Sequence, residues 1–393
     1  MATSLVWHLL GVPLGRTGSV GTPVDHLTLS PGPNGDVLFS GQTAECCIVA
    51  GTANAKGQLA LLPSATCGHQ CSITASSTAL FAQDQIGGTS CGQIFTRSSV
   101  AWVPVSALGM LCPPPPPSSL SGAWKGWTAG ASAGGAAGLW VCLGHGDGWD
   151  LGLVQPGGQL VSAPLPGICE AVVSTPSGAL VAIRPNRVLS ATLEAQGGLV
   201  LGAPQVLPGK PWAGTFQGFP GTVAAGPRGG LWFLEPAGTS GAEIYRLSAR
   251  GTLQSWAAPL PCPDMPYDIA PTASGTWLST APLQGSSCQD NLSFLDRASG
   301  HWLQAPVLLA ARAFGDMAAA PDGTIWIGGA PGVTALRPDG GWVTYTTGWT
   351  VPAASSSVLV SADGTVWAAT HAVQSGQETW DLAALEPSSQ IKR

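Results

Sequence analysis

A short motif that recurs along this chain constrains its fold more than any other feature. The clearest copy is the segment 321–329, Pro-Asp-Gly-Thr-Ile-Trp-Ile-Gly-Gly, and weaker copies begin at Ser361, Pro227, Thr272, Pro176 and Gly138. Each copy places a turn-forming segment before a run of β-branched or other apolar residues. This arrangement is typical of a hairpin corner that enters a β-strand. The chain is therefore predicted to be an all-β repeat protein.

The spacing of the repeats predicts the architecture. Eight innermost strands are expected to begin near Val24, Cys71, Ala123, Cys169, Thr222, Tyr267, Gly315 and Ser357. The steps between these starts are close to the ~40–50 residues that a four-stranded propeller blade occupies. Residues 1–393 are thus predicted to form one domain, an eight-bladed β-propeller of four-stranded antiparallel blades. Seven blades is the alternative, because the unit that begins at Cys71 is the least regular.

The two ends of the chain predict how the ring closes. The last unit has no obvious fourth strand after Leu385, and the segment at about residues 4–10 resembles an isolated strand. We expect the N-terminal strand to complete the last blade, since closure removes exposed strand edges. The proline-rich run 112–120 is predicted to be a stiff loop between two blades.

The low charge of the chain excludes some functions. Charged residues make up 9% of the sequence and the net charge is −6, with no basic cluster. Nucleic-acid binding is excluded, because its affinity comes mostly from Lys and Arg at phosphates. No apolar run is long enough for a membrane-spanning helix. A surface with so little charge favours a protein or glycan partner at the cell exterior, or a homo-oligomer or filament.

The ten cysteines indicate an oxidising compartment. Cys262 and Cys288 bracket one repeat unit, and Cys67 and Cys71 flank a short loop, so these four are the candidates for disulfides. Buried free thiols and a metal site are the alternatives, although the spacing lacks a Cys-x-x-Cys pair. The protein is expected to be extracellular, on the cell surface or periplasmic.

Polar residues at the starts of the predicted innermost strands are the candidate ligand-binding residues. They are Asp25, His26, Glu170, Tyr267, Asp268 and Asp316. In a propeller these starts surround the mouth of the central channel, on loops held by a rigid scaffold. Carboxylates there could hold a divalent cation through oxygen ligands, act as an acid–base pair, or lock neighbouring blades by hydrogen bonds to the backbone. No cofactor or metal site is assigned, and no catalytic residue is identified.

The tryptophans fall into two groups. Five occupy one repeat position, which predicts packing between blades: Trp140, Trp232, Trp277, Trp326 and Trp367. Five others break the pattern and are the candidate stacking platforms for a ligand: Trp124, Trp127, Trp149, Trp212 and Trp349.

The segment 321–342 resembles the repeat of the two-component regulator propeller family, whose pattern is Asp-Gly-x-Leu-Trp-x-Gly-Thr followed by Gly-Leu and a polar turn. The short repeat is also similar, more distantly, to that of virginiamycin B lyase propellers. The first resemblance implies an extracellular propeller that binds a glycan or another ligand on one face. The second implies a His/Glu set with a divalent metal, and such a set is not found in this sequence.

Two functions remain open at this point. The first is a non-enzymatic binding or assembly module of the cell exterior, which the scant charge favours. The second is a secreted lyase or hydrolase with a carboxylate or metal site at the mouth of the central channel.

Overall fold

The computed structural model of the chain describes its strands and many of its turns. The described residues are 8–9, 28–31, 36–42, 48–54, 58–61, 71–75, 79–86, 89–97, 102–104, 110–111, 128–135, 137–145, 148–175, 178–183, 187–206, 223–226, 230–236, 242–248, 252–258, 264–282, 291–304, 317–328, 332–337, 340–345, 354–361, 364–374 and 377–385. They form antiparallel sheets in two compact units. One unit comprises Met1–Leu29, Asn54–Gln58 and Gln217–Arg393, and the other comprises Ser30–Ala53 and Leu59–Phe216.

The unit that includes Leu59–Phe216 contains most of four antiparallel sheets. The first sheet consists of β2 (Thr28–Pro31), β3 (Val37–Gln42), β4 (Ile48–Ala53) and β5 (Leu59–Leu61). The second consists of β6 (Cys71–Ala75), β7 (Ala79–Ile86) and β8 (Thr89–Arg97), with β9 (Trp102–Pro104) and β10 (Met110–Leu111) both on β8. The third consists of β11 (Thr128–Gly135), β12 (Gly138–His145), β13 (Gly148–Val154) and β14 (Leu160–Leu165). The fourth consists of β15 (Cys169–Thr175), β16 (Gly178–Ile183) and β17 (Arg187–Leu193), with β18 (Leu199–Leu201) and β19 (Gln205–Val206) both on β17.

The unit that includes Gln217–Arg393 contains four further sheets of the same kind. The first consists of β20 (Val223–Ala225), β21 (Gly230–Pro236), β22 (Ala242–Ser248) and β23 (Leu253–Ala258). The second consists of β24 (Asp264–Pro271), β25 (Gly275–Pro282), β26 (Asn291–Asp296) and β27 (Trp302–Gln304). The third consists of β28 (Met317–Ala319), β29 (Ile325–Gly328), β30 (Val333–Leu336) and β31 (Trp342–Tyr345). The fourth consists of β32 (Ala354–Val360), β33 (Val366–Gln374), β34 (Gln377–Leu385) and β1 (His8–Leu9).

The N-terminal strand completes the last sheet, as the sequence predicts. His8 pairs with Ala384 and Leu9 with Ala383, so β1 covers the free edge of β34. The predicted fold class, an all-β protein of antiparallel sheets, is confirmed, and among the described strands six sheets have the predicted four strands and two have five. The number of blades and the single domain stay predictions. The proline-rich segment 112–120 lies outside the described residues.

The repeated motif forms the turn between the first and second strands of a sheet. In its clearest copy, the amide of Ala320 bonds to the carbonyl of Thr324 at 2.8 Å, and Asp322 Oδ1 accepts the amide of Thr324 at 2.9 Å. Gly323 has a φ of 88°, which favours glycine. The backbone bond between Ala320 and Thr324 has an equivalent in the copy at Ser361, whose amide bonds to the carbonyl of Thr365 at 2.9 Å. The hairpin corner predicted from Asp-Gly-Thr is confirmed.

The five tryptophans at the repeat position are core residues. Their exposed fractions are 0% for Trp140 and Trp367, 2% for Trp232, and 8% for Trp277 and Trp326. Trp232 packs with Ile269 and Leu278 of the next sheet, and Trp277 packs in the same way with Met317 and Ile327. Since each large ring buries much apolar surface, these contacts hold neighbouring sheets together.

One disulfide links two sheets of the unit that includes Leu59–Phe216. It joins Cys142 on β12 to Cys169 at the start of β15, with the two Cα atoms 6.1 Å apart. The sequence did not indicate this pair, because cysteine spacing alone does not determine connectivity. Among the four predicted disulfide candidates, Cys71 begins β6, while Cys67, Cys262 and Cys288 lie outside the described residues, so those pairings stay predictions.

Candidate functional site

A β-bulge recurs near the start of the first strand in several sheets. The register of β15 shifts between Cys169 and Ala171, and that of β24 shifts between Pro266 and Asp268. Equivalent shifts occur between Ala129 and Ser132 on β11 and between Ser355 and Ser357 on β32. Bulges redirect side chains and are common beside active sites. The recurrence of the bulge indicates that a functional site would lie at this end of the sheets.

Two of the predicted ligand-binding residues are the unpaired residues of these bulges. They are Glu170 in β15 and Tyr267 in β24, and Asp268 follows directly after the bulge of β24. Glu170 belongs to one compact unit, and Tyr267 and Asp268 belong to the other. Asp25, His26 and Asp316 lie outside the described residues, so their place at the site stays a prediction.

The bulge in β24 sets Asp268 directly opposite Ser279 of β25. Directly opposed residues lie on the same face of an antiparallel sheet. Ser279 is fully buried, and its hydroxyl has no hydrogen-bond partner. Buried hydroxyls in proteins are nearly always bonded to protein or to ordered water. An acidic residue and an unsatisfied hydroxyl therefore share one position of this sheet.

A second set of polar residues lies at the corresponding end of the neighbouring sheet. Glu235 near the end of β21 is the direct cross-strand partner of Glu243 near the start of β22. Tyr245 donates its phenolic hydroxyl hydrogen to Glu243 Oε2. The Tyr245 ring is buried and stacks on Phe233, with ring centroids 5.0 Å apart.

The sequence did not indicate this pair of glutamates. The two glutamates lie eight positions apart on strands joined by a hairpin, and only the register of that hairpin makes them partners. A one-residue slip would place them on opposite faces of the sheet. A search for acidic residues placed symmetrically about a predicted turn could have found them.

Four of the five predicted stacking platforms lie outside the described residues: Trp124, Trp127, Trp212 and Trp349. Trp149 lies on β13, is partly buried, and packs against the hydrophobic cluster that contains Trp140 and Leu153. Its role in ligand stacking stays a prediction.

A divalent cation would need several convergent ligands. The described part of the chain contains no group of three or more His, Cys, Asp or Glu residues that could hold a metal ion. The two glutamates above would therefore need further ligands from elsewhere to form such a site. Among the described residues, none belongs to a helix of the length and hydropathy that a membrane span requires.

The chain was compared with known proteins. No protein-family model and no curated protein matches it. Similar solved structures include the dihydro-heme d1 dehydrogenase NirN, with 14% identity over 95% of this chain and 76% of that chain, at a TM-score of 0.49. The β-propeller domain of the Trilobed protease from Pyrococcus furiosus has 10% identity over 92% and 99% of the two chains, at a TM-score of 0.42. Regucalcin from Agrobacterium tumefaciens, named as a calcium-binding protein, has 14% identity over 66% and 91%, at a TM-score of 0.36.

The prediction of a non-enzymatic binding or assembly module is corrected here. The similar structures are mostly named as enzymes, among them a putative gluconolactonase, a luciferin-regenerating enzyme and puromycin hydrolase. The scant charge that favoured the module is a property of the surface and does not exclude catalysis. The chain has the fold class of β-propeller proteins, and no match shows it to belong to the two-component regulator repeat family.

Proposed function

We propose that this protein is a hydrolase or lyase whose acid–base groups are the paired carboxylates of β21 and β22. The observation that carries the proposal is the direct pairing of Glu235 with Glu243, together with the hydrogen bond from Tyr245 to Glu243. Hydrolysis and elimination both need a group that takes a proton and a group that gives one. Two carboxyl groups at one position of a sheet can supply both.

The two glutamates occupy directly opposed positions on neighbouring strands. Like charges directly opposite each other on a sheet destabilise it. Because paired positions lie on the same face of the sheet, both residues can approach one bond of a bound substrate. The hydroxyl of Tyr245 bonds to Glu243 and fixes the orientation of that carboxylate, which makes the two glutamates inequivalent.

The position of the pair supports a role in binding substrate. Glu243 is partly exposed and is the second residue of β22, whereas Leu234 and Ile244, its neighbours in the hairpin, are buried. Glu243 thus lies where the packed core ends and solvent begins. A rigid sheet that presents polar groups at its end is a common setting for catalytic residues.

A substrate screen with matched variants tests the proposal. Purified protein is assayed against chromogenic esters, lactones and glycosides for hydrolysis, and against uronic-acid oligosaccharides for the unsaturated products of elimination. We expect Glu243→Gln and Glu235→Gln each to lower kcat/KM roughly 10²–10⁴-fold. Glu194→Gln is the control, because Glu194 is exposed in the turn between β17 and β18. Absence of turnover across the panel, or full activity in both glutamate variants, would refute the assignment.

We further propose that the protein works in an oxidising compartment outside the cytoplasm. The Cys142–Cys169 disulfide supports this location, because structural disulfides persist mainly in such compartments. A mass measurement of the native protein after thiol labelling tests it, since ten free thiols would contradict the proposal. A protein or glycan partner and a homo-oligomer stay predictions.

A further inference from the structure

Two large apolar side chains at the outer edge of one seam between sheets are exposed to solvent. Leu303 on β27 is 56% exposed, and Trp342 on β31 is 54% exposed. These strands are the last ones of the sheets β24–β27 and β28–β31. A tryptophan exposed to this extent forgoes the free energy that burial of its ring would supply. Exposed apolar groups that lie together commonly mark interaction sites.

The strand registers place Leu303 and Trp342 on the two walls of the same seam. Leu303 is the cross-strand partner of Phe294, and Trp342 is the cross-strand partner of Leu336. Directly opposed residues share one face of a sheet. Phe294 packs against the hydrophobic cluster that contains Leu336, and this cluster joins the two sheets. The outer end of the seam is therefore an open cleft with apolar walls.

The neighbouring seam, between the sheets β20–β23 and β24–β27, is closed at its outer edge. Trp256 on β23 and Trp302 on β27 are both partly buried and pack against the hydrophobic cluster of that seam. The indole N–H of Trp302 donates to the backbone carbonyl of Ala257 at 2.8 Å, so the two outermost strands are bonded to each other. The outermost strands of both seams thus carry aromatic residues, and Trp342 is the one that stays accessible to a ligand.

A pair of hydroxyl groups lies on the same wall as Trp342. Thr344 follows Trp342 by two residues on β31, which places it on the same face, and its cross-strand partner is Thr334 on β30. The two hydroxyl oxygens bond to each other at 2.9 Å, and within the described part of the chain neither has another partner. Two hydroxyls carry two donors, and one mutual bond uses only one of them. Thr334 is 8% exposed and Thr344 is partly exposed, so the second donor lies at the border between the core and the cleft.

We propose that this cleft binds a neutral saccharide, with one pyranose ring stacked on Trp342 and one sugar hydroxyl accepting a hydrogen bond from the Thr334–Thr344 pair. A pyranose has an apolar C–H face and a rim of hydroxyl groups, which match an exposed indole and an unused donor. The wall residues named above carry no charge, and this favours a neutral saccharide over an acidic one.

The unused donor also favours a saccharide over a second copy of this chain. An apolar contact across the cleft would bury the donor without a partner, which costs free energy. The cleft adds a binding site to the enzyme proposed above, and the proposal of this site does not depend on the Glu235–Glu243 pair.

Isothermal titration calorimetry of the full chain with neutral hexasaccharides tests the proposal. The panel is cellohexaose, maltohexaose, xylohexaose, mannohexaose and chitohexaose, with hexagalacturonate as the acidic comparison. We expect at least one neutral hexasaccharide to bind, Trp342→Ala to weaken its binding roughly 10-fold or more, and Thr344→Val to weaken it roughly 2- to 10-fold. Any saccharide that the wild-type protein hydrolyses is titrated against Glu243→Gln, so that binding is measured apart from turnover.

Val343→Ala is the matched control, because Val343 is a 39% exposed apolar residue of the same strand that lies on its other face. This variant should bind as the wild type does. Absence of binding across the neutral panel, tighter binding of hexagalacturonate, wild-type affinity in Trp342→Ala, or equal weakening by Val343→Ala overturns the proposal. So does a wild-type dimer in sedimentation that becomes a monomer in Trp342→Ala, since a second copy would then cover the cleft. Should Trp342→Ala not fold, Thr344→Val and Val343→Ala decide.

Discussion

Tyr245 donates a hydrogen bond to the carboxylate of Glu243, two positions before it on the same face of β22. The Tyr245 ring stacks on Phe233 of the neighbouring strand, so the hydroxyl is held in place by a buried ring. The hydrogen bond therefore fixes the orientation of the Glu243 carboxylate.

Tyr245→Phe is expected to lower the free energy of unfolding by about 1–3 kcal/mol, because it removes a hydrogen bond to a charged group and leaves the packing intact. Urea denaturation measures the change. Tyr345→Phe is the control, since Tyr345 also stacks on an aromatic ring, that of Trp326, with the centroids 5.5 Å apart. Equal stability of Tyr245→Phe and wild type would contradict the structural role of this bond.

Glu235→Gln is expected to raise the stability of the protein by about 0.2–1 kcal/mol while it lowers activity. The substitution removes one of two like charges that face each other across β21 and β22. Thermal melts and the substrate assay, run on the same preparation, measure both effects. A variant that is less stable than wild type would show that the two carboxylates do not repel each other in the folded protein.

Removal of the Cys142–Cys169 disulfide is expected to destabilise the protein by about 3–4 kcal/mol, since the bond closes a loop with a sequence separation of 27 residues. The measurement is denaturation of a Cys142→Ser/Cys169→Ser variant beside the wild-type protein. Wild type in reductant provides a second test, and unchanged stability in the double variant would argue against a structural bond.

Replacement by alanine should destabilise the protein to different extents at two glycines, Gly178 at the start of β16 and Gly157 in a turn. Gly178 has a φ of 149°, and a Cβ there would collide with the carbonyl oxygen of Ala191, whereas Gly157 has a φ of 90° and open space around it. We expect Gly178→Ala to cost about 2–5 kcal/mol, from strain and collision together, and Gly157→Ala to cost about 1–2 kcal/mol. Denaturation of the two variants measures the contrast, and equal losses would contradict the close approach at Gly178.

Asp296 should make stability depend on pH in the acid range. The Ser299 hydroxyl and the backbone amides of Ala298 and Ser299 donate to its carboxylate and lower its pKa from the ordinary 3.8. Because the folded-state pKa is the lower one, the stabilisation is present above the ordinary pKa and disappears as the pH falls through the folded-state value. The measurement is the difference between wild type and Asp296→Asn in denaturation at several acid pH values. A difference that does not shrink as the pH falls would refute this assignment.

Residue pattern alone predicted the scaffold of this protein. The turn Asp322-Gly323 before Ile325-Trp326, repeated along the chain, was sufficient for the antiparallel sheets, because turn chemistry and hydrophobic periodicity act over a few neighbouring residues. The burial of the repeated tryptophans followed from the same repetition, since residues at one repeat position meet one environment. The pairing of β1 with β34 followed from counting strands and from the cost of an exposed edge.

Tertiary structure decided the site, because the contacts there join residues that are not neighbours in the sequence. The pairing of Glu235 with Glu243 depends on the register of one hairpin, and the pairing of Asp268 with Ser279 depends on a bulge between Pro266 and Asp268. The Cys142–Cys169 disulfide likewise depends on how two sheets pack. A shift of one residue in any of these registers would leave the repeat motif intact and separate the groups that the proposed chemistry needs.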